Sequence, residues 1–291
     1  MTSAGLWEFD AIGTRWQIAT EHPLDDSRRD RVGAVIDAFD RAWSRFRPDS
    51  LITALADGGE AAAPPDAAAM LDTYVALSAA TSGAVNPLVG ESLARRGYDS
   101  TYSLVDAGAR AAPGGWRELL IWQSGRLRLD APALIDVGAL GKGRLVDLVA
   151  AELGEGPVVV DAGGDILVRG VRERIALEHP FDRSKAIGVW ELRGGALCAS
   201  AVNRRAWGDG LHHVLDARTG EPVRTVVATW AAAPTAMVAD AAATALFFDG
   251  GAEFAHAEGV EWVRMLSDGR VEWSPGCPAD LFVRQPPLVQ R

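Results

Sequence analysis

The sequence predicts a mixed fold, with helices and strands in one chain. Helical spacing is strongest where Val32, Val35, Ile36, Phe39, Trp43 and Phe46 recur at three- and four-residue intervals. Short apolar runs, Val158 to Val160 and Val226 to Ala232, read as strands, and Ser124-Gly125 and Asp268-Gly269 read as hairpin turns. No repeat and no flexible linker interrupts them, so one domain over residues 1–291 is expected.

In chain order, Trp7 to Thr20 reads as a strand pair turning at Gly13-Thr14. The first helix follows and is expected to end near Arg47-Pro48, because the residue before proline avoids the α region. Asp49-Ser50 caps a short helix carrying Leu51 and Leu55. Asp57 to Pro65 reads as a surface loop. Asp66 caps a helix with Met70, Tyr74 and Leu77 on one face, ended by Ser82-Gly83. Asn86-Pro87 begins a turn, and Ala107 to Gly115 is a second loop. Leu119 to Trp122 and Arg126 to Leu129 form a hairpin. Ala133 to Arg144 reads as strand, glycine-rich turn and helix start. Val158 to Val160 is a strand running into Asp161-Ala162-Gly163-Gly164-Asp165. Strands surround Ile187 to Leu192 and Ala196 to Ser200, and a long polar connection starts at Val202. Val226 to Ala232 then leads into an alanine-rich helix from Val238 to Phe248 with Thr235 as its N-cap. Val260 to Trp273 closes the pattern as a hairpin.

Composition narrows the classes of function. A 48% hydrophobic, 23% charged chain is globular. A formal net charge of −10 argues against nucleic acid as a partner. Two cysteines, Cys198 and Cys277, are too few for a disulfide framework or a zinc cluster, and a reducing compartment is the default. The first residues, Met1 to Glu8, carry neither a basic nor an apolar leader region, and no run approaches a membrane span. A cytoplasmic protein without membrane insertion is expected.

Asp240 and Thr244, four residues apart, put a carboxylate and a hydroxyl on one helical face. That face is either a polar stripe turned to water or part of an oxygen-ligand set for a hard cation. The turn Gly138-Ala139-Leu140-Gly141-Lys142-Gly143 matches neither a P-loop nor a dinucleotide fingerprint, and is either a structural turn or a phosphate site. Gly163-Gly164 is either a tight turn or a place where backbone packs on a flat ligand. Lys142, Arg144, Arg204, Arg205 and Arg218 lie beside glycine turns or the double histidine, where cations suit phosphate oxygens. His212-His213 lacks a third zinc ligand. One of the two suits a general base, and the other reading is a histidine bonded to backbone.

Taken together, these segments resemble the ApbE-type FAD:protein FMN transferases, from about Trp7 to Ser274. Asp136-Val137-Gly138-Ala139-Leu140-Gly141-Lys142-Gly143 is similar to that family's Asp-Leu-Gly-Ala-Ile-Ala-Lys-Gly segment. Asp161-Ala162-Gly163-Gly164-Asp165 resembles its Asn-x-Gly-Gly-Asp turn. His213-Val214-Leu215-Asp216-Ala217-Arg218-Thr219-Gly220 resembles its His-Ile-Ile-Asp-Pro-Arg-Thr-Gly. Ala239-Asp240-Ala241-Ala242-Ala243-Thr244-Ala245-Leu246 resembles its Ala-Asp-Ala-x-x-Thr-Ala-Leu helix. Gly13-Thr14, Trp43-Ser44-Arg45-Phe46 and Asp49-Ser50 agree as well.

The resemblance implies an α+β fold: a single large, T-fold-related mixed α/β domain with an elongated FAD cleft. It implies Mg²⁺ held by Asp240, Thr244 and the Ala139 backbone carbonyl. It implies FAD held by Asp136, Gly138, Ala139, Lys142, Gly163, Gly164, Asp165 and Arg218. It implies FMN transfer from FAD to a Thr or Ser hydroxyl of a target protein, with AMP released and His213 as the base. An FAD pyrophosphatase and a non-catalytic FAD-binding protein are the alternatives. The chain departs from the family at Ala56, Asn86, Ser200-Ala201, Val202 to Arg205 and Ala217, where the family usually has Asn, Asp, Ser-Gly, a segment with an aromatic, and Pro.

Overall fold

The computed structural model describes residues 5–282. The expected span of 1–291 extends past them, and Met1 to Ala4, part of the segment inspected for a leader, also lie outside. Eight strands form one antiparallel sheet: β1 (Leu6–Ala11), β2 (Thr14–Thr20), β3 (Val158–Asp161), β4 (Asp165–Arg169), β5 (Gly195–Ala201), β6 (Val226–Ala233), β7 (Glu261–Leu266) and β8 (Val271–Trp273). Their order in space is their order in the chain. All the helices are insertions into this meander, which is the α+β arrangement the family resemblance implied.

Five helices matter for the site: α1 (Asp26–Trp43), α2 (Ala67–Ala80), α3 (Gly141–Glu152), α4 (Ala236–Ala245) and α5 (Gly251–Ala257). One face of the sheet buries Trp16, Ile18, Val160 and Cys198 against these helices. The alternate side chains, among them Leu197, Trp230, Val263 and Met265, pack with Leu177, Ile187 and Trp190. Those three come from a small sheet formed by Glu173–Glu178, Ala186–Leu192 and Asp280–Leu281. The period-two alternation of β5, with Leu197 on one core and Cys198 on the other, follows from strand geometry. No helix among the described residues is long and apolar enough to cross a membrane.

Local chemistry explains the boundaries. Ile12 and Gly13 both have positive φ and make the two-residue turn joining β1 to β2. Asp25 caps α1 by accepting the Arg28 N–H at 2.7 Å. Thr235 caps α4, accepting from Val238.

Several expectations need correction. The first helix stops at Trp43, so Phe46 lies beyond it. Ser44 is extended, which frees Arg45 to pair with Asp136 and Phe46 to stack on Tyr102, and these contacts outweigh the helical periodicity. The loop Asp57 to Pro65 contains a strand, Gly59–Ala62, paired with Arg126–Leu129. Ala133 to Val137 forms no ladder. Asp66 stands at the start of α2 but makes no side-chain cap bond; its carboxylate binds Arg144 instead. Helices Gly90–Arg95, Trp116–Leu119 and α5 were not foreseen, because each is too short to show a period. Cys198 and Cys277 are both free thiols.

Candidate active site

The glycine bend between Asp136 and Gly141 is held from three sides. Asp136 Oδ1 accepts the Gly138 N–H at 2.8 Å, and Arg45 Nε donates to Asp136 Oδ2 at 2.5 Å. Arg45 Nη1 donates to the Tyr98 carbonyl at 2.7 Å, and the guanidinium lies over the Phe46 and Tyr98 rings. The Tyr74 hydroxyl donates to the Asp136 carbonyl at 3.1 Å and receives the Ala139 N–H at 3.4 Å. Burial, and then the Asp136 charge, push the Tyr74 phenol well above its usual value, so it stays protonated.

Helices α3 and α4 meet immediately after the bend. Asp240 Oδ2 accepts the Gly143 N–H at 2.9 Å. A Cβ at position 143 would lie 2.2 Å from the Ala236 carbonyl oxygen and 2.7 Å from Asp240 Cβ, so only glycine allows this approach. Asp147 of α3 accepts the N–H groups of Ala236 and Met237 at 2.7 and 2.9 Å, satisfying donors at the start of α4. Lys142 contacts the buried Asp165, whose two carboxylate oxygens make no further hydrogen bond. Burial and the nearby Asp165 push Asp240 well above the ordinary carboxylate range, with Lys142 opposing them. Two buried carboxylates thus share one ammonium.

A cavity of about 470 Å³ opens beside this corner. Asp136, Gly138, Ala139, Lys142, His213 and Thr244 all line it. Gly163 and Gly164 border a separate cavity of about 30 Å³, which meets the first at Ser200. Gly163 packs on β2, where a Cβ would come within 2.1 Å of Thr14 Oγ1. Asp240 lies behind the lining, against Gly143, and Asp165 behind Lys142. Arg218 is paired with Asp216 away from the cavity, Arg144 with Asp66, and Arg204 with Glu178.

The two histidines separate cleanly. His212 bonds the Val223 carbonyl through Nε2 at 2.8 Å and receives the Val214 N–H on Nδ1, so it is held by backbone at both nitrogens. His213 faces the cavity, and its Nδ1 is buried without a partner. Burial, and then the charge of Arg205, lower its pKa to about 3, so the ring is neutral at physiological pH.

Sequence reasoning missed the aromatic wall. Tyr98 stacks on Trp207 at 5.6 Å, Phe46 stacks on Tyr102 at 5.1 Å, and Arg45 lies against the Phe46–Tyr98 corner. These rings come from three separate segments with no helical or strand period. The Trp43-Ser44-Arg45-Phe46 match was the one signal that pointed there. The lining carries four cations, Arg45, Arg47, Lys142 and Arg205, against two carboxylates, Asp40 and Asp136. In a chain of formal net charge −10, that gathers cationic donors beside aromatic rings, which suits an anion with flat rings.

The donors suit a hard divalent cation. Asp240 keeps one carboxylate oxygen free of a hydrogen bond, and Thr244 and Ala139 line the cavity. No cluster of three His, Cys, Asp or Glu side chains occurs among the described residues, so a site built from protein carboxylates alone is not there.

Comparison with known proteins places the chain in a family. Residues 12–264 match the model of the ApbE family. A relative from Klebsiella pneumoniae (strain 342), named FAD:protein FMN transferase, is 27% identical over 268 residues, covering 82% of this chain and 77% of its own length. A relative of the same name from Rhodobacter capsulatus is 29% identical, and the match takes in 94% of this chain but 57% of that protein. Among solved structures, the ApbE protein of Thermotoga maritima superposes with a TM-score of 0.80 at 21% identity, covering 93% of this chain and 96% of its own. The flavin transferase ApbE of Vibrio cholerae gives 0.76 at 21% identity, covering the same shares. These two likenesses show a shared fold, and with the family match over most of its length the chain belongs to the ApbE family.

Proposed function

We propose that this chain is an enzyme that transfers FMN from FAD to a Thr or Ser hydroxyl of a target protein, with Mg²⁺ and with release of AMP. The observation that carries the reading is the Asp240–Gly143 contact, which sets a buried carboxylate behind a cation-lined, aromatic-walled cavity. The two relatives named FAD:protein FMN transferase support the substrate and the acceptor class. The chain would act as one domain over its length, in the cytoplasm.

Asp240, Thr244 and the Ala139 carbonyl would hold the metal, which when bound neutralises charge developing on the diphosphate. Lys142, anchored by Asp165, holds a positive charge at the cavity wall through the reaction. The aromatic wall positions flat rings, and the tethered bend leaves the Ala139 carbonyl little freedom to move. His213 Nδ1 is neutral and unpartnered, and would take the proton from the attacking hydroxyl. Asn86, one of the departures, tethers two backbone segments. Its Nδ2 donates to the Pro113 carbonyl and its Oδ1 accepts the Leu88 N–H, each at 2.8 Å.

Incubation with FAD, Mg²⁺ and an acceptor domain tests the reading. A flavin-fluorescent acceptor band with stoichiometric AMP supports it. Free FMN and AMP with an unlabelled acceptor would establish hydrolysis instead, and FAD binding without AMP release a non-catalytic binder.

A further inference from the structure

Three of the four cations lining the cavity already have carboxylate partners. Arg45 is paired with Asp136, Arg47 with Asp40 and Asp49, and Lys142 with Asp165. Arg205 is in no ion pair among the described residues. It ends the turn Val202–Arg205, and its guanidinium carbon lies 5.9 Å from the centre of the Tyr98 ring. It is half-buried, and no nitrogen of its guanidinium is among the buried, unpartnered atoms, whereas Arg45 Nη2 is. The fork is therefore open to the cavity and short of an anion. A guanidinium stacked on a ring loses little further freedom when it binds phosphate oxygens in a bidentate manner.

We propose that Arg205 binds phosphate oxygens of the flavin dinucleotide, on the His213 side of the cavity, as an anion contact that does not require the metal. The inference rests on the flavin-dinucleotide reading of the cavity and adds to it a second anion contact. The bound phosphate becomes the counter-charge that the protein itself does not supply. Lys142 also faces the cavity, but its charge is offset by Asp165, whereas that of Arg205 has no carboxylate partner among the described residues.

The test is binding in EDTA, so that no metal contributes, with FAD, ADP and riboflavin as probes. Arg205→Gln is expected to weaken FAD and ADP by about tenfold or more, the loss of a charge-assisted contact. Riboflavin, which has no phosphate, should stay within about twofold, and Arg205→Lys should recover part of the loss. The dependence of FAD affinity on salt should also become shallower in Arg205→Gln. Equal losses for ADP and riboflavin, or no loss for ADP, would overturn the assignment. If the wild-type protein binds ADP through Arg205 but binds neither FAD nor riboflavin, the flavin reading fails and the anion site stands. If FAD binds equally well to Arg205→Gln, the flavin reading stands and the anion site falls.

Discussion

Asp240 on α4 accepts the backbone N–H of Gly143 on α3 at 2.9 Å, so the acid expected at the metal corner is fastened to the glycine bend itself. The contact exists because position 143 carries no Cβ. Gly143→Ala would drive a methyl into the Ala236 carbonyl and Asp240 Cβ. It is expected to cost about 2 kcal/mol or more, in the range of core overpacking, and chemical denaturation would measure it. A variant as stable as the parent would mean that the two helices separate freely.

Burial, and then the charge of Asp165, disfavour the charged form of Asp240 and raise its pKa well above the ordinary carboxylate range. Asp240→Asn keeps an acceptor for Gly143 and removes the repulsion. The metal-free protein should therefore gain about 1 kcal/mol, a rise of ~2–4 °C in Tm for a chain of this size. The same variant should lose any Mg²⁺-induced rise in Tm, the readout of a stabilisation that for the parent reaches about 2.7 kcal/mol at a hundredfold excess over Kd. A Tm that still rises with Mg²⁺ would move the metal away from Asp240.

His213 titrates near 3 in the folded chain, below the ordinary histidine value. Because its folded pKa is depressed, the unfolded chain binds the extra proton first. The stabilising contribution is complete above about pH 6.5 and is lost as pH falls from there toward 3. His213→Gln should flatten that part of the stability profile. In activity, His213→Ala should slow transfer by about 10²–10⁴-fold with FAD affinity little changed. The kcat/KM of the parent should show no acid limb near pH 6.5 from this residue. A limb there that disappears in His213→Gln would contradict the burial argument.

Arg45 and Asp136 form a nearly buried pair that positions the bend. Arg45→Met should destabilise the protein by about 3 kcal/mol, because Asp136 would keep a charge with no cation beside it. Adding Asp136→Asn should recover part of this, and a double-mutant cycle should give a coupling of about 1–3 kcal/mol. Strict additivity would mean that the pair does no more than fill space.

Asn86→Asp removes the N–H donated to the Pro113 carbonyl and brings a charge to a buried position. A loss of about 1–3 kcal/mol is expected, readable by thermal unfolding. An unchanged Tm would show that the loop at Pro113 is held by other contacts.

The candidate site was legible wherever a short segment carries its own chemistry. Asp136 to Gly143, His213 and Asp240 with Thr244 sit on turns or one helical face, and their spacing survives in the structure unchanged. The wall of Phe46, Tyr98 and Tyr102, backed by Trp207, was not legible, because its rings converge from separate segments. Helix α1 misled for a related reason. Its apolar period runs on to Phe46, but the Arg45–Asp136 pair, between residues far apart in the chain, pulls the backbone out of the helix at Ser44.

The amino-acid order by itself determined most strands of the large sheet, the longer helices, the glycine turns and the acid–hydroxyl spacing, since these depend on neighbours within a few residues. The tertiary structure alone decided which charges cancel. Lys142 is taken by Asp165, Arg218 by Asp216 and Arg45 by Asp136, while Arg205 keeps its charge for the cavity. Electrostatic interactions act through space and depend on burial, so the pairing of these charges is settled only when the chain has folded.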